Sequence, residues 1–189
     1  MRTFIIVILL AVAAYYLYTR ERGGSGGLPA QIAWRAVTRD QRGAVNLVEV
    51  VAVGGNRWRI EVKFPSKPRM LVAVSDGIAT AASNPQVSAT SLDPRPSMRL
   101  LLGDLRRGSP EATEQIAGHP YLRFAQTFNG APVHVWADPQ TRFPYRIRGL
   151  DPFTDVTFTP LPAPSAHDTP DLFSVRALTP LLSRYATNQ

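Results

Sequence analysis

Few side chains in this sequence could do chemistry, and they are scattered. Asp76 and Asp138 are the carboxylates best suited to acid–base work. Each stands in a turn phrase, Ser75-Asp76-Gly77 or Asp138-Pro139-Gln140-Thr141, where an aspartate accepts backbone N–H groups and tolerates turn geometry. A paired-carboxylate hydrolase needs both groups on one substrate atom, and no spacing here imposes that. His119, His134 and His167 have neither an i, i+4 helical partner nor a cysteine beside them, so zinc-type spacing is absent. The 189 residues contain no cysteine, which removes thiolate nucleophiles, zinc ribbons, iron–sulfur sites, disulfide scaffolds and acylated-cysteine anchors. Ser75 lacks the flanking glycines of a nucleophile elbow. Gly54-Gly55 joins two strand-like runs and forms no phosphate loop. The expectation is a binding protein with no catalytic residue, no metal and no cofactor.

Charge argues in the same direction. Arg57, Arg59 and Lys63 around Trp58 would make a nucleic-acid stacking platform only if they shared its face. Alternation puts Trp58 opposite them, so the cations are expected on a solvated outer face and no nucleic-acid partner is inferred. The net charge of +7 comes from nineteen Arg and two Lys against fourteen acids. Such an arginine bias reflects nucleotide composition as readily as function. Removing the net +2 of Arg2, Arg20, Arg22 and Glu21 leaves +5 on the remainder, enough for attraction to anionic headgroups.

The elements that must position any site begin after an apolar leader. Residues 4–18 are uninterruptedly apolar, with Tyr15, Tyr16 and Tyr18 at the end and Arg20, Glu21 and Arg22 behind them. A transmembrane anchor over residues 1–22 is expected, with the tyrosines at an interface. The alternative is a signal peptide cut near Ala11-Val12-Ala13, which would be unusually short. Gly23-Gly24-Ser25-Gly26-Gly27 reads as a flexible tether, so a single domain is expected over residues 28–189.

Within it, period-two patterns place strands over residues 32–39, 57–64 and 121–128, the second with Trp58, Ile60, Val62 and Phe64 on one face. Residues 44–53 break parity between Asn46 and Glu49, which allows a bulge. Further strands are expected over 70–74, 78–82, 133–137, 142–148 and 154–159, with hairpin turns at Asp76-Gly77 and Asn129-Gly130. Met98, Leu101, Leu102 and Leu105 fall at i, i+3, i+4 and i+7, one stripe of a helix over 97–107. Ser109-Pro110-Glu111 opens a second short helix ending before Gly118. After a proline-rich stretch, residues 171–182 dock as a strand or short helix. The resulting class is mainly β with a helical insertion: one curved antiparallel sheet of eight or nine strands, covered by short helices.

Order and local phrases together resemble the bacterial lipoprotein-carrier superfamily that includes LolA, LolB and the lipid-binding domain of RseB. Arg57-Trp58-Arg59-Ile60-Glu61 precedes Val74-Ser75-Asp76-Gly77-Ile78 as a basic strand precedes a hairpin there. Val133-His134-Val135-Trp136-Ala137-Asp138-Pro139-Gln140-Thr141-Arg142-Phe143-Pro144 is similar to its strand, turn and strand, and Asp171-Leu172-Phe173-Ser174-Val175 to its closing phrase. The resemblance implies an unclosed β barrel whose helices cover a hydrophobic cavity for acyl chains. On that expectation the lining is Trp34, Trp58, Ile60, Val62, Phe64, Met98, Leu101, Leu102, Leu105, Phe124, Val135, Ile147 and Phe158; the same residues read without it are an ordinary core. Only residues 28–31 separate the tether from the first strand, where carriers have a longer helix. An anchored chain also cannot shuttle. The function expected is therefore a membrane-tethered, non-catalytic lipid- or lipoprotein-binding domain on the outer side of a bacterial inner membrane. Its partners would be acyl chains, that membrane and, in the alternative, an envelope protein recognised without lipid.

Overall fold

The computed structural model describes residues 28–67, 69–128, 131–150, 155–165, 172–176 and 178. The anchor or signal peptide, the tether, the Asn129-Gly130 turn and His167 lie outside the described residues. Among the described residues no helix is long and apolar enough to cross a membrane.

The chain is mainly β, with ten strands and one α-helix among the described residues. The strands are β1 (Gln31–Arg39), β2 (Val45–Gly54), β3 (Arg57–Lys63), β4 (Leu71–Ser75), β5 (Thr80–Ala82), β6 (Ala112–Ile116), β7 (His119–Phe128), β8 (Ala131–Ala137), β9 (Pro144–Arg148) and β10 (Asp155–Leu161). They form one unclosed sheet in the order β5-β4-β3-β2-β1-β10-β9-β8-β7-β6. Helix α1 (Arg95–Arg107) follows a 3₁₀ turn at Ala89–Leu92. Before α1, the Asp93 carboxylate accepts the Arg95 backbone N–H at 3.0 Å. Arg106 and Arg107 close its last turn, where cations oppose the negative end of the helix dipole.

Contacts divide the described residues into two compact units, one drawn from 29–37, 45–95 and the segment after 158, the other from 28, 38–44 and 96–158. In the first, β2 pairs β3 antiparallel without a register shift from Val48 to Gly54, so the paired stretch contains no bulge. From Val48 onward β2 also breaks parity through burial on both faces. Val50 and Ala52 are buried on one face and Leu47, Val51 and Val53 on the other, and a strand buried on both faces shows no alternation. One face carries Ala33, Val50, Ala52 and Val74 packed beneath Leu172 and Phe173, so the described part of the expected 171–182 segment docks there, and 171, 177 and 179–182 lie outside the described residues.

That docking overturns the solvated basic face expected of β3. Arg59 is 0% and Glu61 1% exposed, and they pair at 3.1 Å. Register sets Ala52 against Arg59 and Val50 against Glu61, so both charges lie on the face that Leu172 and Phe173 cover. Arg57 and Lys63, at the strand ends, stay exposed. Local alternation could not report a cover supplied from more than a hundred residues away.

The second unit corrects another expectation. Residues 109–117 do not form a helix: Ala112–Ile116 is strand β6, paired with β7 from Ala112↔Arg123 to Ile116↔His119. The two-residue connection is Ala117-Gly118, with φ of 50° and 81°. Consecutive positive φ values suit the right-handed twist of a tight hairpin, and Gly118 serves this turn instead of a helix stop. Pro110 and Glu111 precede the strand, and the Glu111 N–H donates to the Arg123 carbonyl at 2.8 Å. Among the described residues the helical elements thus reduce to α1 and the 3₁₀ turn, and the strands number ten instead of eight or nine.

Candidate functional site

In the second unit an apolar ladder runs across three strands. Phe124 of β7 faces Val135 of β8, which faces Ile147 of β9, while Leu122 faces Ala137. Leu105 of α1 is buried in one cluster with Phe124, Val135 and Ala137, and Leu101, Leu122 and Ile147 pack around it half-buried. The i, i+4 relation of Leu101 and Leu105 puts both on the helix stripe. Of the expected lining, then, the structure brings together Leu101, Leu105, Phe124, Val135 and Ile147. Met98, Leu102 and Phe158 are buried in the same unit.

In the other unit, Trp34, Trp58, Ile60 and Val62 are buried. Parity puts them opposite the Ala33 and Arg59 face, on one side of the strands. Phe64 lies one residue beyond β3 and is half-buried. Glu49, cross-strand from Val62, shares this apolar side. Burial pushes its carboxyl up to about 7, although the side chain keeps partial exposure. Residue spacing marked the position only as a parity break.

The turn reading of the aspartates holds. Asp76 Oδ1 accepts the N–H groups of Ile78 and Ala79, each at 2.9 Å, and these bonds, the Ala79 one foremost, lower its carboxyl from the usual range. Asp138 Oδ1 accepts Thr141 N–H at 2.7 Å, the Thr141 hydroxyl at 2.8 Å and Gln140 N–H at 3.0 Å. Its carboxyl is likewise lowered, chiefly by the Thr141 backbone bond. The same turn holds Arg142 at φ 59°, a left-handed conformation unusual for a branched or long side chain. The Arg142 guanidinium carbon stands 5.5 Å from the Phe124 ring centroid. His119 is exposed, and His134 tilts against Trp136 at 6.1 Å between ring centroids. Among the described residues no three His, Asp or Glu side chains are grouped to hold a metal.

The opposite face of the β7–β10 strands is polar and aromatic. Trp136 donates its indole N–H to Glu114 Oε2 at 2.8 Å, and Arg123 pairs with Glu114 and Glu111. Arg146 binds Asp155 through two nitrogens, which raises the guanidinium above its ordinary range. Tyr121 stacks on Tyr145 with centroids 4.2 Å apart, and burial raises its phenol. The sequence pattern missed this face because these partners lie on different strands, and only the register brings them together.

No family model and no curated protein matches the chain. Among solved structures it is similar to PNGF-II in its P21 crystal form, at 9% identity and a TM-score of 0.33, covering 76% of this chain and 30% of that one. The C2 form of PNGF-II gives 8% identity and a TM-score of 0.32, covering 74% and 29%. The chain thus spans under a third of the length of these structures.

Proposed function

We propose that this chain is a membrane-tethered, non-catalytic lipid- or lipoprotein-binding domain of a bacterial envelope, anchored by residues 4–18 in the inner membrane and facing the periplasm or cell exterior. The observation that carries the reading is helix α1 laid by its apolar stripe on the Phe124–Val135–Ile147 ladder, with half-buried Leu101, Leu122 and Ile147 at the margin. An apolar cluster edged by partly exposed aliphatic side chains can take an acyl chain by extending contacts it already makes. The finer architecture proposed is an open barrel with α1 as its cover. Native mass spectrometry of the chain from residue 28 onward, purified without detergent, tests this: bound acyl mass is expected, and a ligand-free domain from lipid-rich cells would sink the reading.

The polar face favours a second reading, a docking surface for an envelope protein. Trp136, Tyr121 and Tyr145 among Arg123, Arg146 and Arg148 have the aromatic and arginine character of interface centres. Crosslinking in envelope preparations that depends on Tyr121 and Arg148, with no copurifying lipid, would select it.

A further inference from the structure

Arg142 combines three features that a turn residue does not need. Its backbone is in the left-handed region, at φ 59°, where glycine or asparagine would sit without strain. Its guanidinium lies over the face of Phe124. Its Nη1 is buried and has no hydrogen-bond partner. A buried unpaired donor on a charged group is uncommon in folded proteins and calls for an absent acceptor. Asp138, the carboxylate of this turn, does not supply it: Oδ1 is engaged by Gln140 and Thr141, and neither carboxylate oxygen accepts from Nη1.

The surroundings say what kind of acceptor would fit. Phe124 belongs to the apolar cluster of Leu105, Val135 and Ala137. Its ring also reaches the end of α1: a Cβ on Gly108 would stand 3.5 Å from Phe124 Cδ1 and 2.9 Å from the Asp104 carbonyl oxygen. Glycine at this point leaves room for the Asp104 carbonyl, and the ring lies at ordinary contact distance from the helix end. Arg106 and Arg107 in the last turn of α1, with Arg107 paired to Asp104 at 2.9 Å, leave a net positive charge at that end. An anion bound by Arg142 would therefore lie beside an apolar surface whose margin is Leu101, Leu122 and Ile147.

We propose that Arg142 binds the oxyanion of a single-chain anionic amphiphile, a fatty carboxylate or alkyl phosphate, whose hydrocarbon chain lies along that margin. This rests on the lipid-binding reading above and adds the charge class of the ligand. The guanidinium offers paired N–H donors to two oxygens of such a headgroup, and the low-dielectric side of Phe124 strengthens the attraction.

The test uses the full chain in nanodiscs of zwitterionic phosphatidylcholine. The probes are palmitate carrying a photoactivatable diazirine, the uncharged glycerol ester of that acid, and inorganic phosphate as competitor. Palmitate is expected to label peptides of α1 and β7 about tenfold more than the ester, the worth of one charge-assisted contact. Arg142→Gln should abolish that preference. Arg142→Gly should abolish it too while the domain keeps its fold and melting temperature, because relief of the positive φ offsets the lost contact with Phe124. A lost preference at an unchanged melting temperature separates ligand binding from a loss of fold. Equal labelling by acid and ester leaves lipid binding standing and overturns the role of Arg142. An unchanged preference in Arg142→Gly overturns it as well, and so does full competition by millimolar phosphate, which would make the site one for free anions. Labelling by neither probe ends the lipid-binding reading itself.

Discussion

The Phe173 ring occupies the space where a side chain on Gly54 would stand: a Cβ there would lie 2.9 Å from Phe173 Cε2. The aromatic ring is 1% exposed and packs with Ala33, Val50, Ala52 and Val74, so yielding to a new Cβ disturbs that cluster. Gly54→Ala is therefore expected to lower stability by about 1–3 kcal/mol through overpacking. Phe173→Ala should cost about 3–5 kcal/mol, as for other buried phenylalanines. Urea unfolding of both variants checks the pair, and a neutral Phe173→Ala would mean that the C-terminal segment is not part of the core.

Beneath that segment, Arg59 donates to Glu61 at 3.1 Å and to the Leu172 carbonyl at 3.4 Å. Burial pulls the guanidinium below its ordinary range, and the neighbouring carboxylate works against that shift. Removing one partner strands the other charge, so Glu61→Ala should cost about 3–5 kcal/mol. The double replacement Arg59→Met with Glu61→Leu is expected to recover most of the loss, since apolar isosteres remove both desolvation terms. A double variant as unstable as Glu61→Ala would refute this account.

Glu49 makes stability depend on pH. Its folded carboxyl titrates near 7 against 4.5 for the ordinary group, so the folded state binds the proton more tightly. Its stabilising contribution is complete below about pH 4.5 and is lost as pH rises through about 7. Partial exposure reduces the cost, and a decline of about 1–3 kcal/mol between those limits is expected. Glu49→Gln should flatten that part of the profile and be the more stable protein at pH 8. Chemical denaturation across that range is the measurement, and parallel profiles would count against it.

Leu105 and Leu102 of α1 are 0% and 1% exposed. Leu105→Ala should cost about 2–5 kcal/mol, and Leu102→Asp should unfold the domain, because it buries a carboxylate without a partner. If circular dichroism and the melting temperature of Leu102→Asp stay unchanged, α1 is a detachable cover instead of core.

How much of this was legible in the sequence depends on the range of the interaction. The strands β1, β3 and β7 and the helix stripe of Met98, Leu101, Leu102 and Leu105 follow from period two and period 3.6, and β4 and β8 from the turn phrases beside them, all properties of neighbouring residues. Asp76 and Asp138 were readable as turn residues because their hydrogen bonds reach only two or three positions along the chain. Residues 109–117 misled because Ser-Pro-Glu is a good helix start, whereas pairing with β7 and the Ala117-Gly118 turn made the segment a strand. Glu111, acceptable in a first helical turn, instead meets Arg123 together with Glu114.

The sequence by itself determined the alternation that sends Trp58, Ile60 and Val62 to one side of β3 and Arg59 and Glu61 to the other, because successive side chains of any strand point oppositely. Whether either side meets water is a different matter. Tertiary structure decided it by docking Leu172 and Phe173, from 113 residues beyond Arg59 in the case of Leu172, over the charged side. The same division holds at Arg142: the turn phrase set its place in the chain, and only the folding of β7 beneath it put Phe124 under the guanidinium and left Nη1 buried without an acceptor.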